Sequence, residues 1–198
     1  MIRTGIYGGS FNPIHNGHIA IAQAMLRQGA LDEVWLMVSP QNPLKQAADL
    51  LDDQLRLDMV RRAVARLPHI EACDHEFHMP RPSYMWDTLQ SLSHDYADRQ
   101  FALLIGADNW AVFDRWYHAK DIIANYPIAI YPREGYPIDT GRLPRTATLV
   151  DTDLHNVSST QVRRLVRDGG DPSPLVPKEI ADDVRRLYGP AVTSTATP

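Results

Sequence analysis

The chain has almost no cysteine: Cys73 stands alone among 198 residues. An internal disulfide framework is therefore excluded, and the composition fits a reducing compartment. Basic charge is not in excess either, since 20 Lys plus Arg face 24 Asp plus Glu for a formal net charge of −4. Coating a nucleic-acid duplex needs a basic face that displaces counterions, so that class is excluded while local basic sites stay open. No apolar run approaches the ~18 residues of a membrane span, and the opening MIRTGIYGGSF lacks the apolar core of ~7–15 residues that a signal peptide needs. The expectation is a cytoplasmic protein with neither a membrane nor a nucleic-acid partner. The phosphate-loop pattern GxxxxGK[ST] is absent, which disfavours a P-loop kinase. What is present is ordinary globular usage, 44% hydrophobic and 22% charged residues. Length favours one domain, taken as residues 1–188, with 189–198 a disordered tail. A chain of this size buries roughly 70% of its unfolded surface, enough for a full core.

Ile2 to Gly8 is short, apolar and runs into a glycine turn, which predicts a first strand. From Gly17 to Gln28, Ile19, Ala22, Met25 and Leu26 recur at steps of three and four, with Gly29 as a stop, predicting a helix. Glu33 to Val38 is again a compact apolar run, so strand, helix and strand form a right-handed crossover of a parallel α/β sheet. Residues 39–53 form a long polar connection and a candidate functional segment. A second helix is expected from Asp53 to Leu67, a short strand at Ile70 to Cys73, a loop at 74–83 and a helix from Tyr84 to Tyr96. Phe101 to Gly106 is continuously apolar, as in a strand covered on both faces. Pro127 to Tyr131 and Thr146 to Val150 read as later strands. Ser158 or Ser159 caps a helix to Asp168, and Pro177 opens a last helix to Tyr188.

The most informative stretch is GGSFNPIHNGH, Gly8 to His18. Gly8 and Gly9 let backbone approach a bulky anion, and a helix starting near Asn16 or Gly17 aims free N–H groups and a positive dipole end at the same place. His15 and His18 lie three apart across that start, so both imidazoles project toward one pocket suited to a polyphosphate. Two histidines at this spacing lack the further ligands of a zinc site, and none is assigned. The other His and Cys set, His69, Cys73, His75 and His78, is irregularly spaced and is read as solvent-exposed.

GGSFNPIHNGH resembles the GxFxPxHxGH signature of the nucleotidyltransferase superfamily, and Ser158-Ser159-Thr160-Gln161-Val162-Arg163 resembles its late SSTxxR element. Further segments are similar to the nicotinate-mononucleotide adenylyltransferase family: Asn42-Pro43-Leu44-Lys45, Arg56-Leu57-Asp58-Met59, Arg81 to Thr88 (RPSYMWDT), and Leu104 to Trp110 followed by Trp116. The resemblance spans residue 2 to about 168 and departs at two places, Leu44 for the usual His and Met85 for the usual Thr. It implies a Rossmann-like doubly wound parallel sheet with helices on both faces and a small C-terminal helical part. It also implies transfer of the adenylyl group of ATP to nicotinate mononucleotide, releasing pyrophosphate, in NAD biosynthesis.

The resemblance assigns His15, His18, Lys45 and Arg163 to catalysis, and Gly8, Gly9, Ser10, Phe11, Gly17, Gly106, Asp108, Ser158, Ser159 and Thr160 to ATP. Tyr84, Met85, Trp86, Trp116 and Tyr117 fall to the acceptor, and Mg²⁺ is expected to arrive with ATP. Beside these stand plainer readings: Lys45 and Arg56 as solvated surface, Trp116 as core, Asp108 as a helix cap. Another adenylyl- or cytidylyltransferase of the superfamily, such as a pantetheine-phosphate enzyme, or a non-catalytic nucleotide sensor, is the alternative, and a homo-oligomer remains open.

Overall fold

The computed structural model of the protein describes residues 1–28, 31–40, 50–152 and 157–190. The Gly29 stop, the Asn42 to Lys45 segment and the tail beyond residue 190 lie outside the described residues. In chain order the elements are β1 (Ile2–Gly9), α1 (Asn16–Arg27), β2 (Glu33–Val38), α2 (Asp53–Val64), β3 (Ile70–Cys73), α3 (Met85–Asp95) and β4 (Arg99–Gly106). There follow α4 (Ala107–Trp110), α5 (Ala119–Asn125), β5 (Ile128–Tyr131), β6 (Ala147–Leu149), α6 (Ser159–Arg167) and α7 (Ala181–Tyr188).

The six strands form one sheet in the order β3-β2-β1-β4-β5-β6, and every pairing is parallel. This is the doubly wound Rossmann order. After β1 the chain moves outward through β2 and β3, then returns to place β4 on the other side of β1. The strand order therefore reverses between β1 and β4, the position where open α/β sheets leave a crevice at their carboxyl edge.

Alternation along the strands sorts side chains into two cores. Tyr7, Val34, Leu36, Val38, Ala102 and Leu104 face one way and pack with α1, α2, α6 and α7. Ile6, Trp35, Met37, Phe101, Leu103 and Ile105 face the other and pack with α3, α4 and α5. Both faces being covered explains why β2 and β4 are uninterrupted apolar runs.

Several expectations need correction. The second helix ends at Val64, three residues short of Leu67, which lies in the following turn. The stretch from Pro177 opens with a 3-10 turn over Lys178–Ile180 before α7 begins. The 74–83 loop contains a 3-10 turn, His75–His78. Cys73 and His75 are half-buried, against the expected exposure: His75 Nε2 lies 2.8 Å from Ser91 Oγ, and burial pushes the Cys73 thiol up to about 11. Helix α5 was not anticipated, and α4 has Gly106 at its cap, so Asp108 lies in its first turn and is not the cap.

Candidate active site

The strand β1 ends in Gly8 and Gly9 at the reversal point. Absence of a side chain matters at both: a Cβ on Gly8 would stand 2.9 Å from Met85 Cε, and one on Gly9 would meet the Phe11 ring at 3.0–3.3 Å. Phe11 takes a left-handed backbone, φ 44°, that folds its ring back over Gly9. There the ring meets Tyr7 edge-on at 5.9 Å and His18 at 5.0 Å.

His15 caps the N-terminus of α1 from an extended backbone, and Asn16 opens the helix as expected. The His15 and His18 rings stack with centroids 3.6 Å apart and planes at 24°. Helical spacing produces this, since residues three apart share a face. His18 Nδ1 accepts the His15 backbone N–H at 3.2 Å. Neutral His18 therefore carries its proton on Nε2, where the ring is a hydrogen-bond donor. His15 is buried, and His18 is half-buried.

From the far end of the chain, α6 docks on this loop. Ser158 caps α6 by accepting the Gln161 N–H at 3.1 Å, as the sequence predicts. Ser159 Oγ donates to the Pro13 carbonyl at 2.9 Å, and Arg163 Nη1 donates to the Asn12 carbonyl at 2.8 Å. Thr160 Oγ1 accepts from Arg163 Nη2 at 3.4 Å. The three hydroxyls of this element thus hold the helix, the loop and the arginine in place.

At the end of β4, Gly106 packs against Asp108 and the Tyr131 ring. Asp108 Oδ1 and Arg133 Nε are 3.7 Å apart, too long for a hydrogen bond, and neither atom has a hydrogen-bond partner although both are buried. Arg133 also lies over Tyr131 at 5.3 Å, and the Tyr7 hydroxyl donates to the Tyr131 hydroxyl at 3.2 Å. Tyr7, Tyr131 and Arg133 were missed from sequence. An arginine two residues past a buried strand was the available signal.

The two segments expected at the acceptor do come together. Tyr84 and Tyr117, both exposed, have ring centroids 5.0 Å apart, and Trp86 stacks on His118 at 5.4 Å and 22°. Tyr84 caps α3, so the N–H groups of Met85 and Trp86 open that helix. Met85 turns its side chain onto Gly8, which joins this half of the crevice to the glycine end of β1. Trp116 lies half-buried on Phe113 at 4.9 Å, and its Nε1 is buried without a hydrogen-bond partner. Behind α3, the buried Glu76 carboxylate accepts from Ser83 Oγ at 3.0 Å and Thr88 Oγ1 at 2.9 Å. Burial raises its pKa, and the hydroxyls of Thr88, Ser39 and Ser83 act against that rise.

Arg56 is not solvated. It is fully buried, and its guanidinium donates to the carbonyls of Leu51 (2.8 Å), Ser10 (2.5 Å), Ser39 (2.8 Å) and Pro40 (3.2 Å). Lys45 lies outside the described residues. A separate cavity of about 260 Å³ is bounded by Trp110, Ala111 and the segment from Gly135 to Leu143, and no expected site residue lines it. Among the described residues no helix is long and apolar enough to cross a membrane.

The cytidylyltransferase-like family pattern matches residues 6–165. A protein of Bacteroides thetaiotaomicron named probable nicotinate-nucleotide adenylyltransferase is 43% identical over 192 residues, 97% of this chain and 95% of its own. One of the same name from Bacteroides fragilis is 46% identical over 169 residues, covering 85% and 84%. In three dimensions, the Plasmodium falciparum nicotinic acid mononucleotide adenylyltransferase solved with NaAD shares the fold at a TM-score of 0.80 and 18% identity, over 95% of this chain and 98% of that one. Relatives that align over most of both chains and carry one name leave a single conclusion: the chain belongs to the nicotinate-nucleotide adenylyltransferase family of cytidylyltransferase-like proteins.

Proposed function

We infer that the protein transfers the adenylyl group of ATP to nicotinate mononucleotide, giving deamido-NAD and pyrophosphate, in NAD biosynthesis. The observation that carries this reading is the stacked His15–His18 pair at the glycine end of β1, on a loop whose Asn12 carbonyl holds Arg163, at the reversal point of the sheet.

An oxygen of the mononucleotide 5′-phosphate attacks the α-phosphorus of ATP in line, and the bond from that phosphorus to the bridging oxygen breaks as pyrophosphate departs. The attacking oxygen is already ionised at neutral pH. No general base or covalent intermediate is required, and catalysis rests on positioning and on stabilising charge. His18, protonated at Nε2, donates to the α-phosphate region, and His15 lies against it. Arg163 and Lys45 neutralise the departing pyrophosphate. Gly8, Gly9, Ser10, Phe11 and Gly17 offer backbone to the triphosphate, with Ser158, Ser159 and Thr160 fixing Arg163 and the loop. Gly106 and Asp108 border the nucleoside.

Mg²⁺ would be carried in by ATP, with no described side chain assigned to hold it, and would supply charge neutralisation at the phosphates. The donor set suits that arrangement, since Mg²⁺ takes oxygen ligands and the groups facing the phosphates are imidazoles, amides and guanidinium. Among the described residues no three His, Cys, Asp or Glu gather to form a metal cluster.

The pyridine half enters beside Tyr84, Met85, Trp86, Trp116 and Tyr117, and backbone N–H groups at the start of α3 read the carboxylate. Met85 turns toward Gly8, and with backbone N–H groups reading the carboxylate the departure from Thr costs recognition little. Wild type is expected to prefer nicotinate mononucleotide over the amide, because a charge-assisted hydrogen bond is roughly twice as strong as a neutral one. Met85→Thr should shift the acid-to-amide ratio of kcat/KM by less than about tenfold, or ~1.4 kcal/mol, and Trp116→Ala should impair both substrates alike. Preference for the amide in wild type, or a large ratio change in Met85→Thr, would show that the backbone does not do the reading.

Pyrophosphate release from ATP with nicotinate mononucleotide, nicotinamide mononucleotide or pantetheine phosphate as acceptor tests the reaction itself. No release with nicotinate mononucleotide would overturn it in favour of another superfamily reaction or a nucleotide sensor. Arg163→Ala should lower kcat/KM for ATP by about 10- to 100-fold, the value of hydrogen bonds to a charged group, with a smaller change on the acceptor side. A loss confined to the acceptor would contradict the placement of Arg163.

A further inference from the structure

The proline turn between the glycines and the histidines is held from a direction that the reaction does not require. Asn12 is buried, at 7% exposure, and three other parts of the chain meet on it. Its Oδ1 accepts the Tyr188 hydroxyl at 2.7 Å and the Leu51 N–H at 3.2 Å, while its carbonyl accepts Arg163 Nη1 at 2.8 Å. Leu51 leads into α2 from the connection that contains Lys45, and Tyr188 is the last residue of α7. Asn16, four residues on, donates its backbone N–H to the Leu175 carbonyl at 2.9 Å.

We propose that Tyr188 is a positioning residue for ATP: through Asn12 its hydroxyl sets the loop that carries His15 and the carbonyl on which Arg163 rests. This deepens the reading of Arg163 and the histidine loop as the triphosphate site, and it rests on that reading. The geometry favours a functional over a purely packing role. The Tyr188 ring already belongs to the core of α6 and α7, so its packing is satisfied without the hydroxyl. The hydroxyl is directed at one atom of the loop, and the guanidinium charges of Arg56 and Arg163 both act on it. Burial holds the phenol well above its ordinary pKa, so at neutral pH it stays a donor. An acceptor oxygen shared between a helix end and the entry to α2 keeps Asn12 at one angle. Its carbonyl then presents Arg163 to the crevice at one position.

The test is Tyr188→Phe, which removes one oxygen and keeps the ring. The KM for ATP should rise about three- to tenfold, the usual value of one net hydrogen bond, while the KM for nicotinate mononucleotide moves less than about twofold. Because the effect passes through Asn12, Tyr188→Phe should add nothing further in an Asn12→Ala background. Unchanged kinetics, equal changes for both substrates, additive losses in the double variant, or failure of Tyr188→Phe to fold would each overturn the proposal. Arg163→Ala run in parallel separates the two levels. If it raises the ATP KM while Tyr188→Phe does not, only the role of Tyr188 falls; if it leaves ATP untouched, the triphosphate reading falls and takes this proposal with it.

Discussion

His18→Ala is expected to lower kcat by about 10²- to 10³-fold, the loss seen when one donor to developing transition-state charge is removed, while the protein stays folded. His18 is half-buried, its Nδ1 is tied to the His15 N–H, and its Nε2 carries the proton that a phosphate oxygen can accept. The fold does not depend on the ring, because α1 is held by Ile21, Ala22 and Met25 in the core. His18→Gln should recover part of the loss, since a side-chain amide donates without a ring. Steady-state turnover at saturating ATP and nicotinate mononucleotide, with circular dichroism as the check on folding, decides it. Near-normal kcat in the alanine variant would remove His18 from the chemistry.

Arg56→Ala should produce the largest loss of stability, about 3–5 kcal/mol, the scale for breaking a buried hydrogen-bonded charge network. One guanidinium spans the carbonyls of Ser10, Ser39, Pro40 and Leu51, and so ties the glycine turn, the end of β2 and the entry to α2. Removal leaves these carbonyls without the fork and a void in the core. Arg56→Lys should recover only a minor part, because an ammonium is a point donor and cannot reproduce the planar geometry. Urea unfolding read at constant slope gives the difference. A midpoint shift worth less than about 1 kcal/mol for Arg56→Ala would mean that water replaces the fork without cost.

Arg56 also marks where reading the sequence stopped short. Basic residues on helices are usually solvated, yet position 56 lies on the same stripe as Met59, Val60 and Ala63, all buried. Periodicity therefore carried the signal that residue type concealed. The β1, β2 and β4 strands were legible because both their faces are covered, and His15 with His18 because helical spacing alone makes them neighbours. Helix α5 was not, since it starts after His118 in a left-handed conformation with no capping side chain to announce it. Arg133, Tyr131 and Tyr7 converge from two strands separated in sequence by more than a hundred positions, a proximity set by strand order and invisible in any local pattern. Met85 was legible as part of the segment expected at the acceptor, whereas its contact with Gly8 follows only from the packing of α3 on the sheet.

The loop that bears the histidines is synthesised well before three of the residues that fix it. Ser159, Arg163 and Tyr188 reach Pro13 and Asn12 across separations of 146, 151 and 176 residues. A nascent chain halted before α6 contains the whole GGSFNPIHNGH motif and none of these three anchors. Closure over such distances is slow compared with local structure, so the β1 and β2 half of the sheet can form while the motif is still unset. Setting the loop is thereby tied to synthesis through α7: a product cut before α6 holds the signature but not the contacts that fix its shape.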